Sequence, residues 1–176
     1  MSKTAVLVAG SPADNSRSSL ILQAFGRELE ARGFELETYS IRSFALEDLV
    51  YGRAESETVQ RFLQSVSRAS AVVFATPVYK ATYAGALKLI IDLVAPTGFQ
   101  NKALLAITTA RLEAHLSQVD ESFQRLYRFF QGSIGLSSLG LNDAQLTLRD
   151  GEPVQLDSAA RDAFGAALQR LSEALR

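Results

Sequence analysis

The chain contains no cysteine and a single histidine among its 176 residues. Without thiols, disulfide bonds, thiolate catalysis and cysteine metal sites are excluded, and one imidazole is too few for a histidine-based zinc site. No apolar run approaches the roughly 20 residues that cross a bilayer, and the first apolar run is too short for the core of a signal peptide. Any chemistry must therefore come from hydroxyls, backbone groups or a cofactor, and we expect a cytoplasmic protein.

Neither sign of charge is in excess, because 18 Lys and Arg stand against 19 Asp and Glu, for a net charge of −1. Such a balance argues against a nucleic-acid partner. Apolar residues make up 47% of the chain and charged residues 21%, which is typical of a globular protein. The length suits one domain spanning residues 1–176, with neither nucleic acid nor membrane among its partners.

Apolar strands alternate with amphipathic helices along the whole chain. The pattern predicts strands over 4–9, 34–41, 71–76 and 102–108, with a fifth in either 136–141 or 144–148. Helical spacing predicts helices over 18–32, 59–69, 83–95, 113–130 and 157–175, while 42–56 reads as irregular. Strands that are apolar throughout are covered on both faces. We therefore expect the α/β class, as a doubly wound, five-stranded parallel sheet with helices on both faces.

The segment after the first strand, "GSPADNSRSS", is rich in hydroxyls. In a doubly wound sheet, ligands bind at the carboxyl ends of the strands, and a helix starting here would point free N–H groups at an anion. The candidate ligands of a phosphate are Ser11, Ser16, Arg17, Ser18 and Ser19. The alternative is ordinary helix capping, which one Ser would satisfy. Neither a dinucleotide fingerprint nor a P-loop is present, so a single phosphate fits better.

The segment after the third strand, "ATPVYKATYAGALK", begins with a proline that forces an extended or turn backbone. Val78 and Tyr79 would then offer free backbone N–H groups at the edge of the sheet, beside Lys80. Exposed amides next to an aromatic suit a flat heteroaromatic ring with carbonyl edges. The alternative is an ordinary strand-to-helix turn with a surface Tyr and Lys.

These two segments carry a family resemblance. "ATPVYKATYAGALKLIIDLV" and "AGSPADNSRSS" closely resemble the NAD(P)H-dependent FMN reductases, specifically the alkanesulfonate-utilisation branch. The resemblance implies a flavodoxin-like fold in which Ser11, Ser16, Arg17, Ser18 and Ser19 hold the FMN phosphate and Pro77, Val78, Tyr79 and Lys80 line the isoalloxazine and ribityl chain.

The resemblance also implies a reaction and partners. Hydride passes from NADPH or NADH to FMN without a protein acid or base, and the reduced FMN is released to a two-component monooxygenase. It further implies a homodimer or homotetramer. The predicted helix over 83–95 also favours an oligomer. It carries more apolar side chains than one buried face easily covers, namely Leu87, Ile90, Ile91 and Val94.

One of the departures from the family lies where its backbone comes close to the flavin ring. Where the family carries Gly-Gly after the fourth strand, this chain has Ala110 and Arg111. Arg111 would crowd the ring, stack on it, or pair with a phosphate of FMN or of the nicotinamide. Two alternatives to the reductase follow: a non-catalytic flavodoxin-like paralogue that has lost the site, and a quinone or azo reductase with permanently bound FMN.

Overall fold

The structure is a computed structural model that describes residues 3–149 and 151–176. Its strands are β1 (Lys3–Ala9), β2 (Phe34–Ser40), β3 (Ala71–Tyr79), β4 (Thr82–Tyr83), β5 (Ala103–Ala110), β6 (Ile134–Gly135), β7 (Leu139–Asn142), β8 (Leu146–Thr147) and β9 (Gln155–Leu156). Its α-helices are α1 (Arg17–Ala31), α2 (Leu46–Val50), α3 (Glu57–Arg68), α4 (Gly85–Ile91), α5 (Ala114–Phe129) and α6 (Ser158–Ala174). Single 3-10 turns lie at Ile41–Ser43 and Asp143–Gln145.

The central sheet has the parallel order β2-β1-β3-β5, followed by a fifth position that β6 and β7 share. Strand β6 pairs with the start of β5, and β7 pairs with its end, both in parallel. The prediction of a five-stranded parallel α/β sheet is therefore confirmed, with its last strand divided in two. Beyond it, β4 adds an antiparallel extension to β3, and β8 and β9 form a separate small ribbon.

Helices cover both faces of the sheet, as the apolar strands require. On one face, alternate strand side chains such as Val6, Val8 and Phe74 pack against α3, α4 and α5. On the other, residues such as Leu7 and Ile107 pack against α1 and α6. The alternation follows from the strand period of two residues, which sends neighbouring side chains to opposite faces.

Two local predictions need correction, and one open alternative is decided. Helix α4 is shorter than the helix predicted over 83–95. Tyr83 belongs to β4 and pairs with β3, and the helix ends at Ile91. The segment 42–56, predicted as irregular, contains the short helix α2. The fifth strand lies in the first of the two candidate segments, since Leu139 and Leu141 are buried against β5 while β8 pairs only with β9.

The sequence argument for a subunit interface on α4 is wrong. Leu87, Ile90, Ile91 and Val94 are all buried within this chain, where they join the core beneath α3 and α5. They are accordingly not available to a second copy. The helix is apolar because the fold itself covers it on several sides. Any subunit contact must use other side chains.

Strands β1 and β3 remain joined past the end of their ladder. The Gly10 backbone N–H donates to the Ala75 carbonyl oxygen at 2.7 Å. A Cβ at position 10 would lie only 2.5 Å from the Leu87 Cβ, so no other residue fits this backbone position without movement. The base of the β1–α1 loop is thus held tightly between β3 and α4.

None of the helices in the described ranges, 3–149 and 151–176, is long and apolar enough to cross a membrane.

Candidate functional site

A cavity of about 240 Å³ opens at the carboxyl edge of the sheet, between the loops that follow β1, β3 and β5. Seven of the ten residues predicted for the site line it: Ser11, Ser16, Arg17, Pro77, Val78, Tyr79 and Arg111. The remaining wall comes from Ala13, Thr109, Ala110 and Asp143. Ser18, Ser19 and Lys80 are not among the lining residues. The structure therefore brings the β1–α1 loop and the end of β3 to one place, as parallel pairing of β1 and β3 requires.

Serine hydroxyls at the start of α1 bond mainly to one another. The Ser16 side chain caps the helix by accepting from the Ser19 backbone N–H at 3.2 Å. Its Oγ also lies 2.7 Å from the Ser19 Oγ and 3.2 Å from the Ser18 Oγ. Ser18 is fully buried, so its hydroxyl supports Ser16 and cannot touch a ligand. Ser19 lines a neighbouring cavity of about 230 Å³ on the β2 side of the loop.

The β1–α1 loop is fixed by contacts that leave its hydroxyl-bearing side toward the cavity. Ser11 is 4% exposed, and its Oγ accepts from the Ala13 backbone N–H at 3.2 Å. Arg42, just after β2, donates to the Pro12 carbonyl oxygen at 3.1 Å and pairs with Asp14 at 2.7 Å. Arg42 thus holds the loop in place and does not line the cavity. The cation that the loop itself contributes to the cavity is Arg17.

Arg17 faces a carboxylate across the cavity. Its Nε lies 3.8 Å from Oδ1 of Asp143, and the two side chains are 49% and 24% exposed. Asp143 begins the 3-10 turn directly after β7. Sequence reasoning missed this residue because the position of the fifth strand was left open. The available signal was that a carboxylate following the carboxyl end of the last strand must reach the same edge as the other loops.

The segment after β3 is a hairpin and not the open loop that the sequence suggested. Val78 pairs with Tyr83 and Tyr79 with Thr82, both antiparallel. The two residues between them, Lys80 and Ala81, have φ angles of 52° and 65°. Two consecutive left-handed residues are the geometry of a tight two-residue turn, for which Asn-Gly is preferred. Lys80 is therefore at the exposed tip, outside the cavity.

A threonine and an aromatic pair anchor this hairpin. The Thr76 Oγ1 accepts from the Ala84 backbone N–H at 3.0 Å and donates to the Pro77 carbonyl oxygen at 2.9 Å. The Tyr83 ring packs on Phe123 of α5 with 5.0 Å between ring centroids. Burial raises the pKa of the Tyr83 phenol above its usual range, so the group stays neutral. Tyr79 remains 48% exposed at the cavity mouth.

The Gly-Gly position of the resembled family is occupied by a short buried residue and a long exposed one. Ala110 is the last residue of β5, is 5% exposed and lies in register with Asn142 of β7. The Asn142 Nδ2 donates to the Arg111 carbonyl oxygen at 3.1 Å. The backbone here is thus held by β7, while the Arg111 side chain is exposed at the rim.

Catalytic side chains of the usual kinds are not assembled in the cavity. His115 lies in the first turn of α5 and does not line it. The parts of the chain that the structure describes hold no group of three or more His, Cys, Asp or Glu placed to bind a metal. Hydroxyls, the Arg17 guanidinium at a helix N-terminus and a second guanidinium from Arg111 at the rim form an anion site beside an exposed aromatic. Together with the strand order, this defines a flavodoxin-like α/β protein.

Comparison with known proteins agrees with this class. Residues 3–144 match the family model described as NADPH-dependent FMN reductase. The chain is 33% identical over 171 residues to an FMN reductase (NADPH) of Pseudomonas putida, covering 97% of this chain and 87% of that protein. It is 31% identical over 130 residues to the NADH-dependent FMN reductase SfnF of Pseudomonas putida, covering 72% and 70%.

Solved structures show the same fold. The apo form of an NADH:FMN oxidoreductase (EMOB) superposes with a TM-score of 0.88 at 18% sequence identity, covering 99% of this chain and 90% of that one. The chain belongs to the NADPH-dependent FMN reductase family. It is an oxidoreductase of that family, with reduced nicotinamide as reductant and FMN as substrate or cofactor.

The left-handed turn generates a stability prediction. A non-glycine residue in this conformation costs roughly 1–2 kcal/mol. Replacing it with glycine removes that cost, but the greater conformational freedom of glycine in the unfolded chain offsets part of the stabilisation. We expect Ala81→Gly to raise the free energy of unfolding by about 0.5–1 kcal/mol, measured by urea denaturation. The control is Ala166→Gly, an exposed site inside α6, which should lower it by about 1 kcal/mol. Equal losses in both variants would contradict the assigned turn.

Proposed function

We propose that this chain transfers hydride from NADPH or NADH to FMN in the cavity at the carboxyl edge of the sheet and then releases the reduced flavin to a separate monooxygenase. The whole chain acts as one FMN reductase domain in this proposal, and its place is the cytoplasm. The observation that carries it is the meeting of the Ser11, Ser16 and Arg17 side chains with the Pro77–Tyr79 wall in one cavity. The SfnF relative, named as an FMN reductase, supports the same activity.

The residues around Arg17 fit the phosphate of FMN. A phosphate near Ser16 would accept hydrogen bonds from the Ser11 and Ser16 hydroxyls and from the Arg17 guanidinium. The first backbone N–H groups of α1 lack helical acceptors and carry the positive end of the helix dipole toward the same point. Ser18 and Ser19 then act through Ser16, because their hydroxyls bond to its Oγ.

The hairpin after β3 fits the ring of FMN. The flat wall of Pro77 and Val78 and the exposed ring of Tyr79 offer apolar contact, and Thr109 supplies a further hydroxyl. FMN, when bound, supplies the hydride acceptor. The protein's own residues bind and orient it, since hydride transfer between the two rings needs no protein acid or base. Lys80 lies at the hairpin tip, where it can meet only the outer part of a ligand or a partner.

Assembly into a homodimer or homotetramer is supported by apolar side chains that this chain leaves uncovered. Phe129 is 61% exposed at the end of α5, beside a groove of about 430 Å³ between α4 and α5. Tyr51 after α2 is 72% exposed and Leu112 after β5 is 59% exposed. A contiguous exposed apolar surface is typical of a protein–protein contact, and the groove, whose lining includes Leu126, Phe129 and Phe130, offers one. Leu112 directly follows Arg111, so a subunit contact there would lie next to the cavity.

The proposal is tested by following NADPH and NADH oxidation with and without added FMN. We expect a colourless protein that elutes from gel filtration as a dimer or tetramer by light scattering and oxidises a nicotinamide only when FMN is added. Yellow FMN that remains bound through gel filtration would favour a quinone or azo reductase. A protein that neither binds FMN nor oxidises a nicotinamide would be a non-catalytic paralogue, and a monomer would contradict the assembly.

Arg17 should discriminate FMN from riboflavin. A hydrogen bond to a charged group contributes about 1.5–3 kcal/mol, which corresponds to a roughly ten- to hundredfold change in Kd. We expect Arg17→Ala to raise the Kd for FMN by that factor and Ser16→Ala to raise it less, by fluorescence titration. Riboflavin, which has no phosphate, should bind both variants as it binds the wild type. Arg27→Ala, exposed on the same helix, is the matched control.

If riboflavin and FMN lose affinity equally in the Arg17→Ala variant, the phosphate does not lie at the start of α1. An unchanged Kd for both ligands would contradict the assignment in the same way.

Arg111 is proposed to bind the extra phosphate of NADPH, because its side chain is exposed and lines the same cavity as Arg17 and Pro77. We expect Arg111→Ala to raise the KM for NADPH about tenfold and to leave the KM for NADH unchanged, in line with one lost charged contact. Arg125→Ala, an exposed cation on α5, is the control. Tighter FMN binding in the double variant Ala110→Gly/Arg111→Gly would instead show that these side chains crowd the flavin.

A further inference from the structure

The cavity contains a carboxylate where an anion is to bind. Asp143 Oδ1 lies 3.8 Å from Arg17 Nε, the cation that faces the phosphate position in the proposed function. This separation exceeds a direct hydrogen bond, which requires about 3.2 Å or less. Asp143 therefore offsets part of the positive charge of the Arg17 guanidinium without forming a direct hydrogen bond to it. Its remaining N–H groups stay free to donate to a ligand.

The position of Asp143 is built into the fold. Its neighbour Asn142 pairs with Ala110 at the end of the β5–β7 ladder. The Asn142 Oδ1 accepts from the Ala144 backbone N–H at 2.9 Å, and the Gln145 Oε1 accepts from the Asn142 N–H at 2.8 Å. This reciprocal cap fixes the 3-10 turn that carries Asp143. The carboxylate, 24% exposed, is thus held beside Arg17 and is not a freely moving surface group.

We propose that Asp143 competes with the FMN phosphate for Arg17 and thereby keeps flavin affinity low enough for the reduced product to leave. The inference rests on the proposed function. When the phosphate binds, Arg17 interacts with two anions, and the Asp143 carboxylate repels the phosphate. The binding free energy of the phosphate is therefore smaller than it would be at Arg17 alone. The carboxylate therefore raises the Kd and the dissociation rate of FMN. It has this effect only on ligands that carry the phosphate.

The substitution Asp143→Asn tests this, because it removes the charge while keeping the shape of the side chain. We expect the Kd for FMN to fall about tenfold at low salt and the dissociation rate to fall with it, measured by fluorescence titration and stopped flow. The effect should shrink at high salt, where charges at an exposed rim are screened. Riboflavin affinity should not change. Asp143→Glu, which keeps the charge, should behave like the wild type.

Two controls isolate the mechanism. Asp162→Asn removes one exposed carboxylate from α6 and should leave FMN binding unchanged. In the Arg17→Ala background, Asp143→Asn should have no effect, because the competition needs the guanidinium. Tightening that persists without Arg17 would overturn the proposed competition in favour of direct repulsion of the phosphate.

The remaining outcomes are distinguishable. Weaker or unchanged FMN binding in Asp143→Asn, with normal binding by the wild type, overturns this inference alone, and a weaker one would show that Asp143 orients Arg17 for the phosphate. If the wild type and the variant both fail to bind FMN, the proposed function itself fails and the inference falls with it.

Discussion

The parallel pairing of β1 with β3 is the constraint on which the cavity depends. The ladder runs from the pair Ala5 and Ala71 to the pair Ala9 and Ala75, and the Gly10 N–H extends it by one more hydrogen bond. Two segments far apart in the sequence, the serine-rich loop and the hairpin after β3, consequently leave the sheet at the same edge and next to each other. The backbone hydrogen bonds of the sheet therefore set the separation of the two loops on either side of the cavity.

Most of the fold could be predicted because apolar periodicity reports burial directly. Fully apolar strands such as β3 and β5 can only be central, and helices on both faces follow from that. The fifth strand was ambiguous because two short apolar segments have equal local patterns, and only the neighbour β5 distinguishes them. Helix α4 was predicted too long, since an apolar stretch indicates burial and does not say whether it is helix, strand or turn.

The site was predicted only in part, for reasons that differ from residue to residue. The loop serines were visible as an excess over what capping needs, but their mutual hydrogen bonds and the burial of Ser18 depend on the helix geometry at Ser16. The left-handed turn at Lys80 and Ala81 carries no sequence signal, because neither residue is one that prefers this conformation. Asp143 belongs to a part of the chain whose strand was undecided, so nothing placed it beside Arg17.

The contact between Gly10 and α4 has a consequence for how sequences of this fold can diverge. An added Cβ at position 10 would meet the Leu87 Cβ itself at 2.5 Å, and a shorter side chain at 87 does not remove that atom. Only a second glycine would, in the middle of a helix that it weakens by about 1 kcal/mol. The constraint therefore runs in one direction: position 10 stays glycine unless position 87 first becomes glycine, and that first change is itself selected against.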